Sequence, residues 1–168
     1  MTNLKLAYCY LESPVGDLLA ARDGEILHYL SFPSGRTTRK PADSWVRDAS
    51  GFDHIRSQLD AYFHGELQTF DLRLQLTGTE FQKTVWRALQ QIPFGRTLSY
   101  GALAERVGNP KASRAVGAAN GANPIPIIIP CHRVIGSDKS LTGFGGGLAT
   151  KEFLLKHEGV LADQPKLL

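Results

Sequence analysis

Leu4, Leu6, Tyr8 and Tyr10 fall on one side of an alternating apolar and polar stretch, and that period of two predicts a half-buried strand over residues 4 to 10. Ser13-Pro14-Val15-Gly16 then turns the chain. A second strand, Asp17 to Arg22, and a third, Glu25 to Leu30, flank Asp23-Gly24, a dipeptide suited to the positive φ angles of a tight hairpin. Residues 31 to 44 are Ser, Pro, Gly, Thr and charge, which predicts a loop. Helical spacing takes over at Phe52, Ile55, Leu59, Tyr62 and Phe63, with Gly65 as the stop. His54 and His64 on this helix read as surface or helix-end residues. Phe70, Leu72, Leu74 and Leu76 alternate again and predict one more strand.

Thr77-Gly78-Thr79 is where strand periodicity gives way to helix periodicity, so residues 1–77 are expected to form a small α+β domain and 78–168 a second, helical one. Thr79 and Gln82 make a capping box, and Phe81, Val85, Trp86, Leu89 and Ile92 form the apolar stripe of the helix it starts. Pro93-Phe94-Gly95 ends it. Ser99 is an N-cap for a helix from Tyr100 to Val107, Gly108-Asn109-Pro110 is a tight turn, and Lys111 to Asn120 reads as the next helix. Two short helices about a glycine-containing turn suggest a helix-turn-helix. On the second of them Lys111, Arg114, Ala118 and Gly121 share a stripe, with Ala112, Val116 and Ala119 toward the core. Two cations beside small residues let a helix backbone lie close against a groove; the plain alternative is an αα-hairpin with a solvated basic face.

Pro124, Pro126 and Pro130 forbid a helix over the stretch that follows, and Ile127-Ile128-Ile129 reads as a short strand buried on both faces. It delivers Cys131, whose neighbours His132 and Arg133 are expected to favour the thiolate and lower its pKa below the free value of about 8.5. Beyond a turn at residues 136–140, glycines at 143, 145, 146 and 147 surround Phe144, a pattern suited to a loop that approaches a flat ligand closely. Lys151 to His157 is a final helix, with Phe153, Leu154 and Leu155 apolar and Gly159 as its stop. Glu158 sits at the end of that helix, where the macrodipole disfavours an anion, so a partner elsewhere is expected.

Composition narrows the class. At 168 residues and 42% hydrophobic content the chain can bury a sizeable core, and it has no apolar run near the ~20 residues that cross a bilayer. With Met-Thr-Asn-Leu-Lys at the start and no signal-peptide core, a soluble cytoplasmic protein is expected. The two cysteines, Cys9 and Cys131, lie far apart with no CxxC or His cluster, which argues against a disulfide scaffold and a metal site. Net charge is +3, but residues 1–80 carry eight Lys/Arg against eleven Asp/Glu (−3) and residues 81–168 eleven against five (+6). The basic C-terminal half suggests a polyanionic partner.

Taken together, Ser99-Tyr100, Arg114-Ala115-Val116-Gly117, Asn123-Pro124, Pro130-Cys131-His132-Arg133-Val134, the glycine loop and Lys151-Glu152 to His157-Glu158-Gly159 closely resemble the O6-alkylguanine-DNA alkyltransferases, direct-reversal DNA repair proteins. The resemblance runs from about Gly78 to Gly159. It implies an N-terminal ribonuclease-H-like domain and a C-terminal domain with a winged-helix-like helix-turn-helix. It further implies irreversible, stoichiometric transfer of an alkyl group from O6-alkylguanine in double-stranded DNA, with O4-alkylthymine as a further substrate, to the Cys131 thiolate of a monomer able to cluster on DNA, with no cofactor. His132 and Glu158 would complete a Glu-His-Cys relay, Tyr100 would donate to the ring nitrogen, and Asn123 would be the hinge tying the helix-turn-helix to the site. Arg114 would enter the duplex as the damaged nucleotide rotates out. Lys111, Ala112, Ser113, Ala115, Gly117, Ala118, Gly121 and Arg133 would support DNA binding, and Val134, Phe144, Gly145 and Gly146 would line the base pocket. Phe144 departs from the tyrosine usual in the family at that place. None of the N-terminal zinc ligands that some members carry is present. A DNA-binding regulator would use the helix-turn-helix but leave Pro-Cys-His-Arg without purpose, and a cysteine hydrolase would use Cys131, His132 and Glu158 but need no basic helix.

Overall fold

A computed structural model of the chain describes residues 5–136 and 144–160. The expected turn over 137–140, residues 141–143 of the glycine loop and Leu4 of the first strand lie outside the described residues.

The N-terminal half is a five-stranded sheet in the order β4-β1-β2-β3-β5 with one helix. Strands β1 (Ala7–Leu11), β2 (Leu18–Asp23) and β3 (Ile26–Ser31) form an antiparallel meander, and Asp23-Gly24 makes the expected hairpin. The face of β1 differs from the expectation. Leu6, Cys9 and Leu11 are buried, whereas Tyr8 and Tyr10 lie on the outer face, where Tyr8 packs beside Trp45 and Arg47 sits over the Tyr10 ring. Apolar residues occupy both faces of this strand, and tyrosine, with one polar end, is the member that tolerates the wetter side. β4 (Val46–Arg47) pairs parallel to β1 and was not signalled in the sequence. Of the strand expected over 70–76, only β5 (Arg73–Leu74) joins the sheet, although Phe70, Leu72, Leu74 and Leu76 all pack against the core as their alternation requires. Helix α1 (Asp53–Phe63) buries Ile55, Leu59 and Tyr62 and stops before Gly65 in the left-handed region.

The C-terminal half is helical. α2 (Glu80–Leu89) begins at a capping box in which the Gln82 amide donates to Thr79 Oγ1 and the Thr79 amide donates to Gln82 Oε1. Its buried Trp86 donates from Nε1 to the Ala119 carbonyl at 2.8 Å, which fixes α2 against α4 (Ser113–Gly121). α3 (Tyr100–Arg106), capped by the Ser99 hydroxyl, packs on α4 across the Gly108 turn, so the helix-turn-helix is present. α4 starts two residues later than the sequence suggests, leaving Lys111 and Ala112 on the approach to the helix. A two-stranded parallel sheet joins β6 (Leu98–Ser99) to β7 (Val134–Ile135), placing the segment after Cys131 beside the start of α3. α5 (Leu148–His157), the last helix among the described residues, has Leu154 and Leu155 buried, while Phe153 is exposed and stacks on His157. No helix among the described residues is long and apolar enough to cross a membrane.

Candidate active site

The residues before Cys131 are buried, as three isoleucines require, but they do not form a strand. Ile127 has φ 73°, the Ile129 amide donates back to the Ile125 carbonyl at 2.9 Å, and one isolated bridge joins Pro126 to Ile129. Prolines at 126 and 130 remove the amides a ladder would need, so the segment folds into a compact knot. Asn123 ties it off: its side-chain amide donates to the Ile129 carbonyl at 2.7 Å and its side-chain oxygen accepts from the Ile125 amide. Cys131 emerges as the first residue of a 3-10 turn, Cys131–Arg133, and its carbonyl accepts from Asn120 Nδ2 of α4. Asn123 and Asn120, the latter on the second helix of the helix-turn-helix, thus hold the carbonyls on either side of Pro130 at the entry to the turn that carries the thiol.

The two residues after Cys131 face Glu158. His132 Nε2 donates to Glu158 Oε2 at 2.7 Å; Arg133 donates from Nε to Oε1 at 2.8 Å and from Nη2 to Oε2 at 3.0 Å. The carboxylate also accepts from the Gly95 amide and from the Tyr62 hydroxyl, at 2.6 Å, which reaches it from α1. Burial alone would raise the Glu158 pKa, yet the hydrogen bonds and charges of His132 and Arg133 outweigh it and hold the carboxyl far below its ordinary value. Burial pushes His132 the other way, toward the neutral imidazole, against the pull of Glu158. With Nε2–H committed to the carboxylate, Nδ1 is the ring's free acceptor; it is buried and makes no hydrogen bond among the described residues.

This arrangement corrects two expectations. Arg133 is not on the DNA-facing surface: it is buried, its Nη1 donates to the Ile92 carbonyl at 2.6 Å, and the rest of its guanidinium is committed to Glu158. Nor is the thiol acidic. Cys131 is 5% exposed, and burial pushes its pKa up to about 11, opposed only in part by the Asn123 side chain and by the charge of Lys151. The positive charge expected from the adjacent residues is spent on the carboxylate instead.

Lys151 enters the sequence reading only as the start of the last helix and within the resemblance motif, and its place in the site was missed. It is fully buried on α5, donates from Nζ to the Val134 carbonyl at 2.6 Å, and lies 5.9 Å from the ring centre of Tyr100 and 6.0 Å from that of Phe144. Burial lowers its pKa to about 8 while the Cys131 thiolate would raise it. No pattern on the helix distinguishes this lysine from a surface one.

Cys131 opens onto a cleft of about 20 Å³ whose walls include Asn123, Phe144, Gly145 and Gly146 and, from the N-terminal half, Phe32 and Thr37. The Phe32 and Phe144 rings pack at 5.6 Å, and the Thr37 amide donates to the Gly145 carbonyl. Val134, expected to line this cleft, is instead in the core, with its carbonyl turned to Lys151. Thr37 and Gly121 are also walls of a larger groove, about 620 Å³, that runs along the exposed face of α4 past Ser113, Gly117 and Ala118, with Tyr100 and Arg36 beside it. Lys111, Arg114, Ala115 and Ala118 are exposed, and Ala112, Ser113, Gly117 and Gly121 half-buried, on that same helix-turn-helix face. Arg36 and Thr37 carried no signal in the sequence, since they belong to a loop without periodicity.

A two-part α+β chain with a helix-turn-helix bonded to the turn of a buried cysteine, next to a hydrogen-bonded histidine and glutamate pair, defines the class. The sequence profile of the 6-O-methylguanine DNA methyltransferase DNA binding domain matches residues 80–160, and that of the ribonuclease-like domain of the same proteins matches residues 6–76. The methylated-DNA--protein-cysteine methyltransferase of Methanosarcina acetivorans is 55% identical over 152 residues, covering 90% of this chain and 97% of the relative. The protein of that name from Mycobacterium tuberculosis is 48% identical over 151 residues, covering 90% and 91%. The crystal structure of Mycobacterium tuberculosis OGT in complex with DNA superposes with a TM-score of 0.87 at 48% identity, covering 91% of this chain and 93% of that one. The chain belongs to the 6-O-methylguanine DNA methyltransferase family.

Proposed function

We propose that this protein repairs alkylated DNA by direct reversal, acting as a methylated-DNA-[protein]-cysteine S-methyltransferase that transfers an alkyl group from O6-alkylguanine in duplex DNA to its own Cys131 and is consumed in doing so. The observation that carries the reading is the position of Cys131: its thiol lies in a cleft that shares walls with the groove along α4, and its carbonyl is held by that helix. Support for DNA as the partner comes from the exposed Lys111 and Arg114 beside the small residues of α4, from the family, and from the relative solved in complex with DNA.

The cleft is far smaller than a purine, so the groove side must open to admit a base. Rotation out of the stack is required because the alkylated oxygen is shielded within the duplex, and Arg114, exposed near the start of α4, fills the gap left behind. Phe144 supplies a flat surface and Gly145 a close approach of backbone for the incoming ring. The thiol proton passes to His132 Nδ1, through a bridging water, while Glu158 holds Nε2–H and balances the imidazolium that forms. Sulfur then attacks the alkyl carbon in line: the C–S bond forms as the C–O6 bond breaks, and the electron pair leaves with the guanine. Tyr100 gives a proton to the ring nitrogen as that charge develops, and Lys151, close to both Tyr100 and Cys131, stabilises each anion in turn. A thioether is not readily cleaved, so each molecule reacts once.

The test is incubation with a duplex containing O6-methylguanine followed by mass spectrometry of the Cys131 peptide. One added methyl per molecule, absent in Cys131→Ala, is the expected result. Turnover of many equivalents would point to a hydrolase, and tight binding with no transfer to a lesion-sensing regulator.

A further inference from the structure

Tyr62 lies on α1, in the half of the chain that carries none of the residues assigned to alkyl transfer, and yet its hydroxyl donates to Glu158 Oε2 at 2.6 Å. The same oxygen accepts His132 Nε2–H at 2.7 Å. The ring is fully buried and packed by Phe63, Phe70, Phe94 and His157, and the Tyr62 carbonyl accepts from His157 Nε2 at 2.7 Å. In such a cage phenylalanine would fill the space without the cost of burying a hydroxyl. The carboxylate does not need the bond for its own satisfaction, because His132 and Arg133 already bring three N–H donors to it. What the hydroxyl does add is a third donor on Oε2, beside His132 Nε2 and Arg133 Nη2, which holds that oxygen from the N-terminal half and takes a further share of its charge.

We propose that Tyr62 is a positioning residue for the reaction at Cys131: through it the N-terminal half sets the orientation of Glu158 and limits how strongly that carboxylate draws a proton onto His132. The inference rests on the alkyl-transfer reading above. Burial and the Glu158 charge keep the phenol protonated throughout the neutral range, so it remains a donor. Besides Tyr62, the titratable and charged groups around the pair are Arg133 on the turn, His157 on α5, and Lys151 and Cys131 on the cleft side.

The experiment compares full-length wild type with Tyr62→Phe in single-turnover transfer from O6-methylguanine duplex between about pH 5.5 and 9, together with titration of His132 by imidazole nitrogen NMR. With the phenol gone, more of the carboxylate charge falls on His132; its pKa should rise, the acid limb of the rate profile should move with it, and transfer should slow about tenfold at unchanged DNA affinity. Phe63→Leu disturbs the same aromatic cage without touching the hydroxyl and should leave both titrations in place. Incorporating 3-fluorotyrosine at position 62, a stronger donor that keeps the fold, should move the His132 pKa down, and decides the matter if Tyr62→Phe does not fold. An unchanged His132 titration and rate profile in Tyr62→Phe, or an equal shift in Phe63→Leu, overturns the proposal even if the variant melts earlier. A wild-type protein that transfers nothing overturns the repair reading itself, and is distinguishable from both.

Discussion

Burial keeps the Cys131 thiol protonated at neutral pH, and the ammonium of Lys151 is the charge that works against it. Because the thiol sits near 11, its reaction with a small probe such as iodoacetamide should accelerate as pH rises well past 8.5 instead of levelling there, as a stopped-time alkylation series would record. Lys151→Gln keeps a donor for the Val134 carbonyl but removes the charge, so the thiolate loses a stabilising partner and its pKa should climb further, slowing methyl transfer at pH 7.5 by about tenfold. An unchanged alkylation profile in that variant would remove Lys151 from the chemistry. The cysteine was legible from its own neighbours, and the acid at a helix C-terminus pointed to a partner elsewhere, which Arg133 and His132 supply; the histidine and glutamate pairing came with the family resemblance. The protonation of the thiol was not legible. Adjacent cations in a sequence do not say which way their side chains point, and here the turn at Cys131–Arg133 sends both away to the carboxylate. Lys151 escaped for a related reason: lysine is so seldom fully buried that its position on an amphipathic helix reads as solvent.

The helix-turn-helix was read from residues whose physics is local. Ser99 caps α3, Thr79 and Gln82 box the start of α2, and Gly108 permits the turn, all within a few residues of the element they specify. Ile127 to Ile129 show the limit of such reading, since a short apolar run is buried in either a strand or a coil, and only the missing amides of Pro126 and Pro130 decide for the coil. β4, two residues long, is defined by its partner β1 and has no period of its own. The exposed face of α4 carries a prediction at this scale. Arg114→Ala should weaken transfer from a lesion in duplex DNA by at least tenfold while leaving reaction with free O6-benzylguanine nearly unchanged, because the side chain lies on the outer face and not in the cleft. Equal losses on both substrates would contradict a role in the duplex.

Across the molecule the two halves are joined around the candidate site. The Leu30 amide of β3 donates to the Pro124 carbonyl, the Thr37 amide to Gly145, and the Tyr62 hydroxyl to Glu158, so the ribonuclease-like half braces the knot before Cys131, the glycine loop and the carboxylate in turn. Glu158 is therefore a stability element as well. Its carboxyl binds fewer protons folded than unfolded, so the stability it brings is complete above its ordinary value of 4.5 and is lost as pH falls toward the far lower folded value. The urea midpoint of the wild type should drop between about pH 5 and 3, and less steeply in Glu158→Gln. That variant, by stranding a buried guanidinium, should cost about 3–5 kcal/mol at pH 7 in equilibrium unfolding. The approach of the loop carrying Gly35 to the glycine loop is tight enough that a Cβ at Gly35, which has φ 112°, would collide with the Gly145 carbonyl. Gly35→Ala should accordingly push the two loops apart and raise the iodoacetamide rate of Cys131 several-fold. That seal bears on economy in the cell: under the proposed reaction each molecule is spent once, every stray electrophile it met would squander it, and a sulfur kept covered and uncharged is saved for the encounter that matters.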